Sequence, residues 1–120
     1  VRDPACLFMN GPEIFNFTIK AVPKLLQAVL EKARLNLAEV DLVVFHQANA
    51  FMLEHLRRKL GIPPEKFIVH LEYCGNTVSS TIPLALEAAL KAGRLRLGMK
   101  GLLAGFGVGY SWGGGILDWH

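Results

Sequence analysis

At 120 residues the chain is one domain's worth, long enough to build its own core. Just over half of its residues are apolar and twelve are glycine, yet no run reaches the roughly 18 uninterrupted apolar residues of a membrane span. The formal charge of +3 permits an acidic partner, but no basic run interleaved with aromatics supports nucleic-acid binding.

In chain order, Val1-Arg-Asp-Pro has no initiator methionine and no leader with a small-residue cleavage site follows it. The sequence therefore reads as a piece of a longer protein without a secretory signal. Residues 1–12 read as a short strand and turn leading in, with Cys6–Met9 as an edge strand and Asn10-Gly-Pro12 as the turn. From Glu13 the pattern is helical. Phe15, Ile19, Val22, Leu26, Val29 and Ala33 step by four and three into one stripe. Pro23 is expected to kink this helix or to mark its true start. Asp41–Phe45 is a short unbroken apolar run, the signature of a strand covered on both faces. A helix over Ala48–Leu60 follows, closed by Gly61 and Pro63-Pro64. Phe67–Leu71 reads as a strand. Ser79, Ser80 and Thr81 offer capping hydroxyls to a helix over Ile82–Ala92. Gly101–Phe106 and Trp112–Trp119 read as a strand pair joined by a glycine turn. The order β-α-β-α-β-α-β-β predicts a layered α/β domain over residues 13–120, with a mixed, mostly parallel sheet covered by helices.

Three polar turns stand where chemistry is expected in such a sheet, at the carboxyl ends of strands. His46 ends the Asp41–Phe45 run beside Gln47 and Asn49. A lone histidine at a strand end is more often structural, but this setting favours function. His55, His70 and His120 lack it and read as surface residues. Asn76, in Gly75-Asn76-Thr77, is either a turn residue or an amide donor aimed into a cleft. An imidazole N–H and an amide N–H together suit an enolate or oxyanion, whose charge must meet groups already oriented. Gly105-Phe106-Gly107-Val108-Gly109 is either a plain hairpin or a loop whose N–H groups approach a thioester oxygen. No helix or Lys-Ser/Thr follows it, so it does not fit a phosphate loop. Cys74 could serve as a nucleophile with His46 as its base, but a small buried residue is the simpler reading. Two cysteines make no disulfide framework, so a reducing cytoplasm is expected, and no His/Cys/carboxylate spacing suggests a metal site.

Together, His46-Gln-Ala-Asn49, Gly75-Asn76-Thr77-Val-Ser-Ser80 and Gly105-Phe106-Gly-Val-Gly-Tyr-Ser-Trp112-Gly resemble the C-terminal half of 3-oxoacyl-(acyl-carrier-protein) synthase III. The resemblance runs from about Leu7 through Trp119. It implies one half of the thiolase fold, with His46 and Asn76 as the His and Asn of a Cys-His-Asn triad. It also implies that Val108 supplies an oxyanion-hole N–H, and that Asn49, Phe106, Gly107 and Gly109 line the substrate cleft. The implied reaction is decarboxylative condensation of an acyl group from acyl-CoA with malonyl carrier protein, initiating fatty-acid synthesis with no cofactor. The implied partners are acyl carrier protein, acyl-CoA and an N-terminal half bearing the cysteine, in a homodimer; neither Cys6 nor Cys74 matches that cysteine. Arg57-Arg58-Lys59 would dock the acidic carrier protein, although a solvated helix end explains them equally well. Phe51 stands where several members have arginine, and Val108 replaces a frequent glycine. The alternatives are a condensing or acyl-transferring relative in secondary metabolism, or a non-catalytic α/β module that self-associates through an uncovered apolar face.

Overall fold

The computed structural model describes residues 3–120. Its elements are α1 (Gly11–Ala33), β1 (Leu42–Phe45), α2 (Ala50–Lys59), α3 (Thr81–Lys91), β2 (Lys100–Gly107) and β3 (Ser111–Asp118), with three single-turn helices between them. The sheet order is β1-β2-β3, with β1 parallel to β2 and β2 antiparallel to β3. No helix of the described residues is long and apolar enough to cross a membrane.

β1 shows why its sequence is apolar without alternation. All four of its residues are buried, and successive side chains enter opposite cores. Val43 and Phe45 join Val22, Leu26 and Val29 of α1 and Leu53 and Leu56 of α2. Leu42 and Val44 join Ala85 and Ala89 of α3. Helices therefore cover both faces, which commits the carboxyl end of β1 as the open edge. On the first face, α1 packs against β3 at Gly114. A Cβ there would lie 2.6 Å from the Leu103 carbonyl oxygen and 3.3 Å from Val29 Cγ2, so glycine permits the close approach.

Pro23 neither kinks α1 into two pieces nor starts it, because the helix runs through it from Gly11 to Ala33. A proline at 23 removes the N–H that would bond the carbonyl of Ile19, four residues earlier. Lys59, at the end of α2, fills that gap: its Nζ donates to the Ile19 carbonyl at 2.9 Å.

Two expected strands do not form. Cys6–Met9 is a turn and an irregular segment: Cys6 N–H bonds the Asp3 carbonyl, and Leu7 and Met9 are exposed and belong to none of the strands among the described residues. Phe67–Leu71 shares a single parallel bridge with β1, Val43 to Phe67, with Ile68 N–H donating to the Val43 carbonyl. Beyond Ile68 a side chain replaces the ladder. Gln47 is fully buried, and its Nε2 donates to the Phe45 carbonyl (2.7 Å) and the Ile68 carbonyl (3.3 Å). Its Oε1 accepts from His70 N–H (2.7 Å). The sheet is mixed, as expected, with a smaller parallel share than the apolar runs suggested.

Replacing Gln47 with methionine keeps the length of the side chain and removes all three bonds. Buried groups left without partners cost about 1–3 kcal/mol. The Gln47→Met chain is expected to lose that much unfolding free energy in urea titration; an unchanged midpoint would show that the segment is held by other means.

Candidate active site

His46 sits directly after β1, where its N–H extends the parallel ladder to the Ala104 carbonyl at 2.8 Å. Its half-buried ring meets two neighbours. Phe106, near the end of β2, stands edge-on, with ring centroids 5.4 Å apart at 80°. Thr81 Oγ1, at the first residue of α3, lies 2.7 Å from His46 Nδ1 and 3.1 Å from the Val78 carbonyl oxygen. Burial lowers the pKa of His46 below the ordinary histidine value, with the Val78 backbone offsetting part of the shift. The ring is thus biased toward its neutral form.

Asn76 is exposed in the turn before α3, and its Oδ1 accepts from Val78 N–H at 2.9 Å. That bond fixes the amide and leaves Nδ2–H as the donor. Val78 holds a left-handed backbone (φ 59°), an unfavourable state for a β-branched residue. In this turn one residue therefore serves both candidates: Val78 N–H holds Asn76, and the Val78 carbonyl reaches Thr81, which touches His46. Among the described residues, His46 and Asn76 make no direct hydrogen bond to each other.

Asn49 caps α2, its Oδ1 accepting from Met52 N–H at 2.8 Å. With Ala48, Gly75 and Asn76 it lines a hollow of about 520 Å³ whose walls do not include His46. Gly107 ends β2, while Val108 is 94% exposed at the tip of the following turn. Gly109 needs its freedom, with φ +143°. Tyr110 stacks on Phe17 of α1 at 4.3 Å and ties the turn back to that helix.

Cys74 does not pair with His46; its thiol donates to the His70 carbonyl at 3.5 Å. His55 and His120 are exposed, whereas His70 is half-buried. The basic end of α2 is largely engaged within the chain. Arg57 and Arg58 both bind Glu54 and hold its carboxyl far below the usual range, at about 2. Arg57 also donates to the Ile62 carbonyl, and Lys59 is held at Ile19. Arg58 is more open than Arg57, its side chain 74% exposed against 18%. Gln47 and Thr81 are the residues that sequence reasoning passed over: one was named only as a neighbour, the other only as a cap.

A mixed sheet between helix layers, with a histidine at the carboxyl end of a parallel strand, has the architecture of one half of a thiolase-like domain. Residues 30–119 match the C-terminal family of 3-oxoacyl-[acyl-carrier-protein] synthase III, and the chain belongs to that family. It is 38% identical over 116 residues to the chloroplastic beta-ketoacyl-[acyl-carrier-protein] synthase III of Arabidopsis thaliana, covering 97% of this chain and 29% of that one. A crystal structure of a 3-oxoacyl-(acyl-carrier-protein) synthase III is 48% identical, with a TM-score of 0.92, over 93% of this chain and 33% of the other. The corresponding synthase from Burkholderia xenovorans is 44% identical, with a TM-score of 0.90, over 98% and 34%. The chain spans about a third of the length of the relatives it matches.

Proposed function

We propose that this chain supplies the histidine and asparagine of a beta-ketoacyl-(acyl-carrier-protein) synthase III, completed by a half that bears the nucleophilic cysteine. The observation that carries the reading is the coupling of His46 and Asn76 through Val78 and Thr81, beside Phe106, in a member of this family. In the proposed reaction an acyl group from acyl-CoA first becomes a thioester on that cysteine. Malonyl carrier protein then enters. As its C–CO₂ bond breaks, the electron pair moves toward the thioester carbonyl, giving an enolate and CO₂. His46 and the Asn76 amide donate to that oxygen. The enolate carbon attacks the acyl thioester, and the cysteine thiolate leaves. Val108 N–H would meet the acyl oxyanion, with Gly107 and Gly109 allowing its approach, and Asn49 would orient ligand or water in the hollow it shares with Asn76. Carrier-protein docking would fall chiefly on Arg58. No cofactor is required. The test is malonyl decarboxylation by the completed synthase carrying His46→Ala or Asn76→Ala; wild-type rates in both would overturn the reading.

The same reading implies that this chain alone lacks a cover for part of its surface. Trp112 is 53% exposed on β3, and Val108 and Tyr110 lie open beside it. Apolar groups in such a patch favour association. The isolated chain is expected to run as a dimer or larger species in light scattering, whereas a monodisperse 13.2 kDa particle would show that no cover is needed.

A further inference from the structure

His46 and Asn76 stand on separate segments. His46 is held at the tip of β1 by the ladder to Ala104, whereas Asn76 lies in neither a helix nor a strand. The chain that carries Asn76 leaves the sheet at Ile68, whose N–H bonds the Val43 carbonyl. Between Ile68 and α3 the backbone bonds among the described residues are local: Gly75 N–H to the Leu71 carbonyl and Ser80 N–H to the Thr77 carbonyl. Two side chains tie this stretch back to the tip of β1, and they are neighbours. Gln47 Oε1 accepts from His70 N–H at 2.7 Å, and His46 Nδ1 meets Thr81 Oγ1 at 2.7 Å. Asn76 lies six residues beyond the first anchor and five before the second.

The first anchor can point only one way. Gln47 is fully buried, and its Nε2 spends both of its donors, on the Phe45 and Ile68 carbonyls. A reversed amide would set its oxygen against two carbonyls and its N–H groups against another N–H. Oε1 is therefore fixed on His70. The turn then closes on what Gln47 holds: the His70 carbonyl accepts from the Cys74 thiol at 3.5 Å, the Leu71 carbonyl accepts from Gly75 N–H at 2.9 Å, and Asn76 follows directly.

We propose that Gln47 is a positioning residue that sets Asn76 against His46: the amide next to the histidine holds the start of the turn that presents the asparagine. The catalytic consequence rests on the enolate role proposed above. Two donors that serve one oxygen must be in place before its charge develops, and a misplacement of about 1 Å costs up to about 10²-fold in rate.

The test is a double-variant cycle in malonyl decarboxylation by the completed synthase, with urea titration and amide hydrogen exchange on the same proteins. Gln47→Met is expected to lower kcat by about 10–10²-fold with KM near the wild-type value. In an Asn76→Ala background the same substitution is expected to cost less than about twofold, because the donor it would misplace is gone. Its effect on the urea midpoint is expected to be equal in both backgrounds. A glutamine that only holds the fold would slow both backgrounds alike, and that result would overturn the proposal. Exchange in the wild-type protein reads the anchor without any variant. His70 N–H is expected to be as protected as the amides of β1, and an unprotected His70 would overturn the proposal even if Gln47→Met fails to fold. In a folded Gln47→Met protein, Gly75 N–H is expected to exchange faster; an unchanged rate would equally count against it. Faster exchange at Gly75 together with unimpaired decarboxylation in Asn76→Ala would support the hold of Gln47 on the turn while removing the catalytic reading.

Discussion

Replacing His46 with alanine, in a synthase that joins this chain to its cysteine-bearing half, is expected to slow malonyl decarboxylation by about 10²–10³-fold. That is the cost of losing one oriented oxyanion donor, about 2.7–4 kcal/mol of barrier. The loss should fall on the decarboxylation rate. Transfer of an acyl group from acyl-CoA to the cysteine should suffer less, because it develops its charge elsewhere. Asn76→Ala is expected to act in the same range, with the double variant less than additive, since in the proposed reaction both donors serve one oxygen, and they share Val78 as a support. The measurement is CO₂ release from malonyl carrier protein in single turnover. Decarboxylation at the wild-type rate would sink the enolate role of both residues. A loss confined to acyl transfer would reassign His46 to the first half of the reaction.

The largest expected effect on stability lies one residue earlier. Phe45 is fully buried and packs edge-on against Phe67, with ring centroids 5.3 Å apart at 88°. It belongs to the core shared by β1, α1 and α2. Phe45→Ala removes a ring that the surrounding helices cannot readily collapse to replace, and such truncations cost about 3–5 kcal/mol. For a domain of this size that is a large part of the total stability, about 5–15 kcal/mol. Urea unfolding should show the midpoint falling steeply, and His46 should lose its fixed place because its neighbour anchors the end of β1. A loss below about 1 kcal/mol would mean that α1 and α2 pack loosely at this point.

The parts of the fold that follow from periodicity could be read from the chain. The stripe from Phe15 to Val29 and the run Leu42–Phe45 each have one physical explanation, and the structure realises both. Phe67–Leu71 did not have one. An apolar run suits a ladder strand and a segment held by one buried amide equally well. The amide that holds it, Gln47, lies 21 and 23 residues from Ile68 and His70, so no local pattern reports it. Cys6–Met9 had strand-like composition but, among the described residues, joins no strand of the sheet. At the site, His46 and Phe106 were legible as residues at strand ends, and their rings do meet. The support between His46 and Asn76 was not legible. It depends on a left-handed backbone at Val78, a residue type that argues against such a turn. The basic cluster Arg57-Arg58-Lys59 was visible only as charge; its partners Glu54, Ile62 and Ile19 emerge once α2 is laid against α1.

Pro23 and Lys59 are 36 positions apart, yet each makes the other tolerable. A proline in a long helix leaves a carbonyl open, and here a lysine from another helix closes it. With alanine at 23, the Ile19 carbonyl would return to its own helix and Lys59 would lose its tether to α1. With methionine at 59, the same carbonyl would lose the side-chain donor that reaches it. The two sites are thereby expected to be coupled energetically: the cost of Lys59→Met should shrink once Pro23 is alanine, because the Ile19 carbonyl then has a donor in its own helix.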